Sequence, residues 1–202
     1  MNFFKHGWLS ARGTLDRAAC VFAVGTLAVA LIGDAEEPSP RALEYHVKAG
    51  FLYTFAKYVE WPTEAFASPT NAIVIGVLGE DPFNKILDAT VDGKAIDGRP
   101  IRILRFQQVD KIETCQVLFI SVSERDRLAD ILTRLRGRSI LTVSELNGFL
   151  QHGGHIHFVT EDSRVKFDID LNATRRAGLK LDANLLRVAR HVVRHGSETR
   201  PE

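Results

Sequence analysis

Cysteine is nearly missing from this 202-residue chain, which has Cys20 and Cys115 and no others. Cys20 opens an apolar N-terminal run that is expected to be removed, so Cys115 stands alone and cannot close an intramolecular bridge. A disulfide framework is thereby excluded, and there is no Cys-x-x-Cys string for a redox or zinc site. A surplus of one charge is lacking too. Lysine and arginine number 26 against 25 aspartate and glutamate, so nothing is left over to neutralise phosphates and no nucleic-acid partner is expected. The chain has no Walker A string, no GxGxxG after a strand and no GxSxG. Gly76-Val77-Leu78-Gly79 looks faintly like a glycine loop, but Val77 and Leu78 read as core-strand residues. Internal repeats and low-complexity tracts are also absent. These absences point away from an enzyme, with no cofactor and no metal expected.

What is present is the composition of a soluble globular protein, 45% hydrophobic and 25% charged, at a length that fits one domain and a short extension. Lys5, Arg12 and Arg17 precede an apolar run from Ala18 to Ile32, and the small residues Gly33-Asp34-Ala35 follow. This is the layout of a signal peptide over 1–35, cleaved after Ala35, which would direct the mature protein to the periplasm. The run is short for a membrane span, and an uncleaved anchor is the alternative. Cleavage would remove three basic and two acidic residues and leave 23 of each. Residues 36–40, acidic and with two prolines, read as a linker, 41–195 as the folded domain and 196–202 as a disordered tail.

The folded part opens with an amphipathic helix from about Arg41 to Glu60, stopped by Pro62. Leu43, Val47, Phe51, Phe55 and Val59 recur every fourth residue and suggest one apolar stripe, widened by Leu52 and Tyr58. The reading assigns Phe51, Phe55, Val59 and Trp61 as the anchor of the fold. It places Tyr45, Lys48, Leu52 and Tyr58 at a homodimer or partner contact, because the helix carries more large apolar groups than one sheet face covers. The alternative is that the whole helix packs on its own core. Beyond it, strands are expected at 72–78, 91–96, 100–106, 117–122, 139–143, 156–160 and 165–171. Asp97-Gly98 and Glu161-Asp162-Ser163 mark hairpin turns. Helices are expected after Asp81-Pro82 to about Asp88, from Ser123 to Gly137, from Ser144 to about Gln151, from Asn172 to Gly178, and after Asp182. The order predicts an α/β fold: a single domain with a mixed parallel and antiparallel sheet and flanking helices.

Several residues invite chemistry, and each has a plainer reading. His152, His155 and His157 could converge on a metal, or decorate an exposed strand face. His191 and His195 stand four apart, but Val192 occupies the place where a zinc hydrolase needs its general base, and both suit a helix end. Asp168 and Asp170 alternate with Phe167 and Ile169, so they share a strand face. That pattern fits either a hydrolase carboxylate pair or a solvated face. Arg99, Arg175, Arg176 and Arg187 would make an anion site only if the fold gathered them. Cys115, just before an apolar strand, reads as a buried, inert thiol.

From Lys48 to Pro62 the string KAGFLYTFAKYVEWP resembles the opening motif of the YfiR family. Further blocks follow in the family's order. They are Ile75-Gly76-Val77-Leu78-Gly79 with Asp81-Pro82-Phe83, Gly98-Arg99-Pro100-Ile101, Cys115 to Ser121, Leu141-Thr142-Val143-Ser144, Gly153-Gly154-His155-Ile156, Val165 to Leu171, and Ala177 to Leu181. Together they span about residues 45 to 193. The resemblance implies a periplasmic regulator that binds the periplasmic sensor portion of an inner-membrane diguanylate cyclase and holds it inactive, so lowering cyclic-di-GMP output and biofilm formation. Some similar sequences carry further cysteines, for instance near the position of Gly76, which this chain lacks. A small-ligand-binding sensor subunit and a hydrolase built on Asp168, Asp170 and the histidines remain the competing classes.

Overall fold

A computed structural model describes residues 39–194, apart from 67 and 69. The signal peptide expected over 1–35, with Cys20 in it, most of the 36–40 linker, His195 and the tail 196–202 lie outside the described residues. The chain runs α1 (Pro40–Tyr58), β1 (Val59–Glu60), β2 (Ile73–Leu78), α2 (Lys85–Val91), β3 (Ala95–Ile96), β4 (Arg99–Phe106) and β5 (Val117–Ile120). It continues with α3 (Leu128–Leu135), β6 (Leu141–Ser144), β7 (Ile156–Glu161), β8 (Arg164–Asp170), α4 (Leu171–Arg176), β9 (Lys180–Leu181), α5 (Ala183–Val188) and β10 (His191–Val193). Eight strands form one mixed sheet in the order β10-β8-β7-β6-β5-β2-β4-β3. Its middle, from β4 to β7, is parallel, the hairpins β3–β4 and β7–β8 are antiparallel, and β10 adds to β8 in parallel at the edge. The expected α/β class with a mixed sheet is what forms.

Period-two alternation sorts the strands onto two faces. Ile73, Ile75 and Val77, with Val117, Phe119, Leu141, Val143, Ile156, Phe158, Phe167 and Ile169, point to one side and pack under α1, α2 and Leu185 of α5. Val74, Leu78, Leu118 and Ile120 point to the other and pack under α3 through Leu128, Ile131, Leu132 and Leu135. The apolar part of this second face lies on β2 and β5, with Leu104 and Phe106 of β4 beside them. Further along, the same face carries Thr142, Ser144, His155, His157, Asp168 and Asp170. Gly76 lies on it too, and a Cβ there would stand 2.8 Å from a Phe106 ring carbon and 2.9 Å from the Cys115 sulfur.

Turn chemistry accounts for both hairpins. Asp97 and Gly98 take φ of 50° and 76°, and Asp162 and Ser163 take 50° and 59°, the left-handed pair that two-residue hairpins require. Other boundaries differ from the sequence expectation. Asp81 does not open a helix. Its carboxylate accepts from the Phe83 N–H at 2.7 Å in a local turn, and α2 starts four residues later, running on through the stretch 85–91. Ser144 starts no α-helix either; its hydroxyl accepts from Leu146 N–H at 3.2 Å and donates to Ile120 C=O at 2.7 Å. The last helix ends at Val188, and Val192 and Val193 lie in β10 beside β8. A two-stranded pairing of β1 with β9, Val59 opposite Leu181, ties the end of α1 to the C-terminal third. Among the described residues no helix is long and apolar enough to cross a membrane.

Candidate interaction surface on the first helix

Ser39 caps α1, its hydroxyl accepting from Ala42 N–H at 3.2 Å, and Pro40 fills the first turn, where a missing N–H costs nothing. The face turned to the sheet is Tyr45, Lys48, Ala49, Leu52, Phe55 and Ala56, with Val59 following at the helix end. The spacing alternates three and four. The row at steps of four does not stay on one face, because each step overshoots a turn by about 40° and four steps swing it by about 160°. Leu43 and Val47 are therefore exposed, at 52% and 47%, whereas Phe55 at the other end of the row is fully buried.

This corrects the division of the helix into anchor and contact residues. Leu52 is fully buried, Lys48 is 1% exposed and Tyr45 6%, so these three belong to the monomer's interior. Tyr58 is half-buried and lines a recess with Trp61, Phe66 and Arg99. Phe55 sits among aromatic rings, with centroids 5.0 Å from Phe167, 5.7 Å from Phe158 and 5.9 Å from Phe51, itself half-buried. Trp61 is also half-buried, and its indole N–H is buried with no hydrogen-bond partner among the described residues.

Lys48 can lie inside because two carboxylates meet it. Its ammonium pairs with Glu44 one turn earlier and with Glu145, just beyond β6. The Tyr45 hydroxyl donates to Glu145 Oε1 at 2.8 Å, and Thr160 on β7 donates to Glu44 Oε1 at 3.0 Å. The Lys48 nitrogen also stands 4.7 Å from the Tyr45 ring centre. Burial, then the Glu145 carboxylate, pushes the Tyr45 phenol up to about 12. Burial alone would raise Glu44, but the hydrogen bond and charge of Lys48 outweigh it and its pKa is lowered. A buried cation with hydrogen-bonded counter-charges fixes the orientation of α1 over the ends of β6 and β7. Glu145 and Thr160 had no signal in the sequence. A lysine on an apolar helix face with a glutamate four residues before it was the one clue available.

The remaining candidates disperse. Asp168 and Asp170 are 8% and 3% exposed, not on a solvated face, and each has a structural duty. Asp168 takes Arg190 through both oxygens, at 2.8 and 2.5 Å, and Arg190 also pairs with Glu161. These partners hold the Arg190 guanidinium pKa above its ordinary value. Asp170 caps α4, accepting from Asn172 and Ala173 N–H at 2.9 and 2.8 Å. His155 is buried, its Nδ1 accepting from Thr142 N–H at 3.0 Å. His157 is half-buried and His152 exposed. His191 lies on β10, not on a helix. Among the described residues no group of three histidine, cysteine or acidic side chains could hold a metal ion. Arg99 lies over the Phe66 ring and donates to the Ser68 and Asn71 carbonyls, so it does not join the arginines of α4 and α5. Cys115 is 3% exposed, its thiol donating to Val117 C=O at 3.0 Å, and burial pushes its pKa up to about 12.

What α1 offers outward is a short apolar strip, Leu43 and Val47, on a helix held rigidly from beneath. The profile of the YfiR/HmsC-like family matches residues 45–190. The chain belongs to that family. The match starts on the buried Tyr45 and ends on Arg190, so it takes in the whole sheet except the last strand. At the level of the family, the function is regulation of diguanylate-cyclase signalling from the periplasm, not catalysis. No curated protein matches the chain.

Proposed function

We propose that this YfiR-like protein is a periplasmic regulator that binds the periplasmic portion of an inner-membrane signalling protein, a diguanylate cyclase, and represses it. Family membership across 45–190 carries this reading. The structure is compatible with it: the buried charged groups Lys48, Asp168 and Asp170 are engaged in ion pairs and a helix cap, and the exposed strip on α1 supplies a surface for a partner helix or for a second copy. The mechanism is differential binding. A regulator that binds the cyclase's inactive state ten times more tightly than the active one shifts that equilibrium by about 1.4 kcal/mol, and cyclic-di-GMP output and biofilm formation fall accordingly. Leu43 and Val47 are suited to the contact because they already face outward on a formed helix, so only their side-chain rotamers are left to order.

The test is expression of the exported protein beside its membrane cyclase, with cyclic-di-GMP measured in the cells, and capture of the partner from a periplasmic extract. Expression should lower cyclic-di-GMP, and Val47→Asp should relieve that effect while leaving thermal stability unchanged. If cyclic-di-GMP does not respond to the wild-type protein, the regulatory reading fails. If Val47→Asp represses as well as wild type, the surface assignment fails. Light scattering on the same variants tells whether a second copy uses the same strip.

A further inference from the structure

We propose that the recess between the end of α3 and α4, over the polar part of the sheet's second face, binds a small molecule bearing a phosphate or a carboxylate. The recess has a volume of about 330 Å³, within the range of ligand pockets at its small end. Arg136 and Arg138 reach it from the end of α3, Arg176 from the last position of α4, and His152 and His155 from the loop before β7 and its end. No aspartate or glutamate lines it. Arg136 and Arg176 make no ion pair among the described residues. Arg138 is steadied from behind, donating to the Ile112 and Glu113 carbonyls at 2.6 and 2.9 Å.

The plain explanation for arginines here is that they complement helix C-termini. The magnitudes do not close on it. Two helix ends supply about half a negative charge each, α4 being too short to develop even that, and the buried Asp170 carboxylate that acts on His155 supplies one more, against three arginines that line the recess. A positive excess is left, facing a concave surface. Guanidinium groups match oxyanions geometrically, and a planar fork engages carboxylate or phosphate through paired hydrogen bonds.

The rest of the lining suits the same guest. Thr142 already accepts from the His155 backbone N–H at 3.2 Å, so its hydroxyl proton is left to donate. His155 is kept neutral by burial and adds no charge of its own to the floor. Leu132, Leu135 and Ala177 give an apolar wall. The fitting guest thus has an anionic head and a small apolar body. This site stands apart from α1 and does not depend on the cyclase reading.

The test uses the mature protein with inorganic phosphate and with benzoate as separate probes, each against chloride at equal ionic strength. A saturable rise in Tm with either probe is expected, and the probe that acts names the head group. The double variant Arg136→Ala/Arg176→Ala should raise the apparent Kd about tenfold or more, as loss of hydrogen bonds to a charged group does. Both side chains are exposed, so the fold should survive. Arg187→Ala on α5, away from the recess, should bind as wild type does. No rise beyond chloride with either probe, or an undiminished response in the double variant, overturns the proposal.

Discussion

Mild acid should weaken this protein through His155. Burial depresses the folded pKa from 6.5 to about 4; the charge of Arg176 acts the same way, while Asp170 and the Ile140 and Ala173 carbonyls oppose it. The hydrogen bond explains why a proton is unwelcome: Nδ1 accepts from Thr142 N–H, and a protonated ring would set donor against donor. The sign follows from which state takes the proton first. Between pH 6.5 and 4 the unfolded chain is protonated at this site and the folded chain is not, so stability is complete above that window and drains away as pH falls through it. At pH 5 the loss is about 2 kcal/mol, growing to about 3 kcal/mol below pH 4, from about 1.4 kcal/mol per pKa unit.

Urea melts of wild type and His155→Asn at pH 7.5 and pH 5 isolate this effect. The asparagine amide oxygen can occupy the place of Nδ1 and accept from Thr142 N–H, but it has no proton to gain. The variant starts lower at pH 7.5 because it fills less space; what matters is the change with pH. His157, whose pKa burial also lowers, and the depressed carboxylates Glu44, Asp88 and Glu161 are present in both proteins and cancel in the comparison. Wild type should lose about 2 kcal/mol more than the variant between the two pH values. Equal losses would refute the account of His155 as a buried neutral acceptor.

Other perturbations read different parts of the structure. Phe55→Ala, which empties the centre of the aromatic group under α1, should cost about 3–5 kcal/mol in the same melts; a loss under 1 kcal/mol would mean that the helix is not seated as described. Glu145→Ala leaves Lys48 buried with Glu44 alone and should cost about 3 kcal/mol, the lower end for a broken buried pair, whereas a neutral result would show that Lys48 reaches water. Cys115 should react with a thiol reagent only as fast as the domain opens; prompt labelling of native protein would contradict its burial. Gly76→Cys, once the Phe106 ring 2.8 Å from its Cβ swings aside, should oxidise to a bridge with Cys115, because that Cβ lies 2.9 Å from the Cys115 sulfur, near the spacing of about 3 Å that an S–S bond of about 2.0 Å sets between one Cβ and the opposite sulfur. Mass analysis after mild oxidation would show the loss of two hydrogens, and two free thiols in a folded variant would count against the register of β2 beside Cys115.

Strands and tight turns were legible in the sequence because their signals are local. Asp97-Gly98 and Asp162-Ser163 carry the residues that tolerate positive φ, and the alternation in Ile156–Ile169 survives intact as buried Ile156, Phe158, Phe167 and Ile169. Where a residue's role is set by a distant partner, the local signal misled. Asp168 looks solvated by alternation alone, since its partner Arg190 lies 22 residues on. The stretch from His191 looks helical by continuation from α5, yet β8 offers an open edge, and pairing His191 with Asp168 and Val193 with Asp170 satisfies backbone groups that a prolonged helix would leave the sheet without. Ser144 and Asp81 read as helix caps, but the same side-chain bonds to a nearby N–H also make isolated turns.

The first helix shows how one such distant partner changes a functional reading. Counted in fours, its apolar residues make a stripe that leaves Tyr45, Lys48 and Leu52 over, and surplus large groups beside a stripe suggest a partner. Counted in alternating threes and fours, Tyr45, Lys48, Leu52, Phe55 and Val59 form one buried face, and the only misfit in it is the charge on Lys48. That misfit is resolved by Glu145, 97 residues away, which no local pattern could supply. With Lys48 inside, Leu43 and Val47 come to the surface. The exposed apolar strip proposed above for a partner is smaller than the sequence suggested and lies on the opposite side of the helix. The ion pairs of Lys48 with Glu44 and Glu145 beneath it hold α1 so that Leu43 and Val47 face outward, and under the proposed function a partner would meet a backbone already in place, with less binding energy consumed in ordering it.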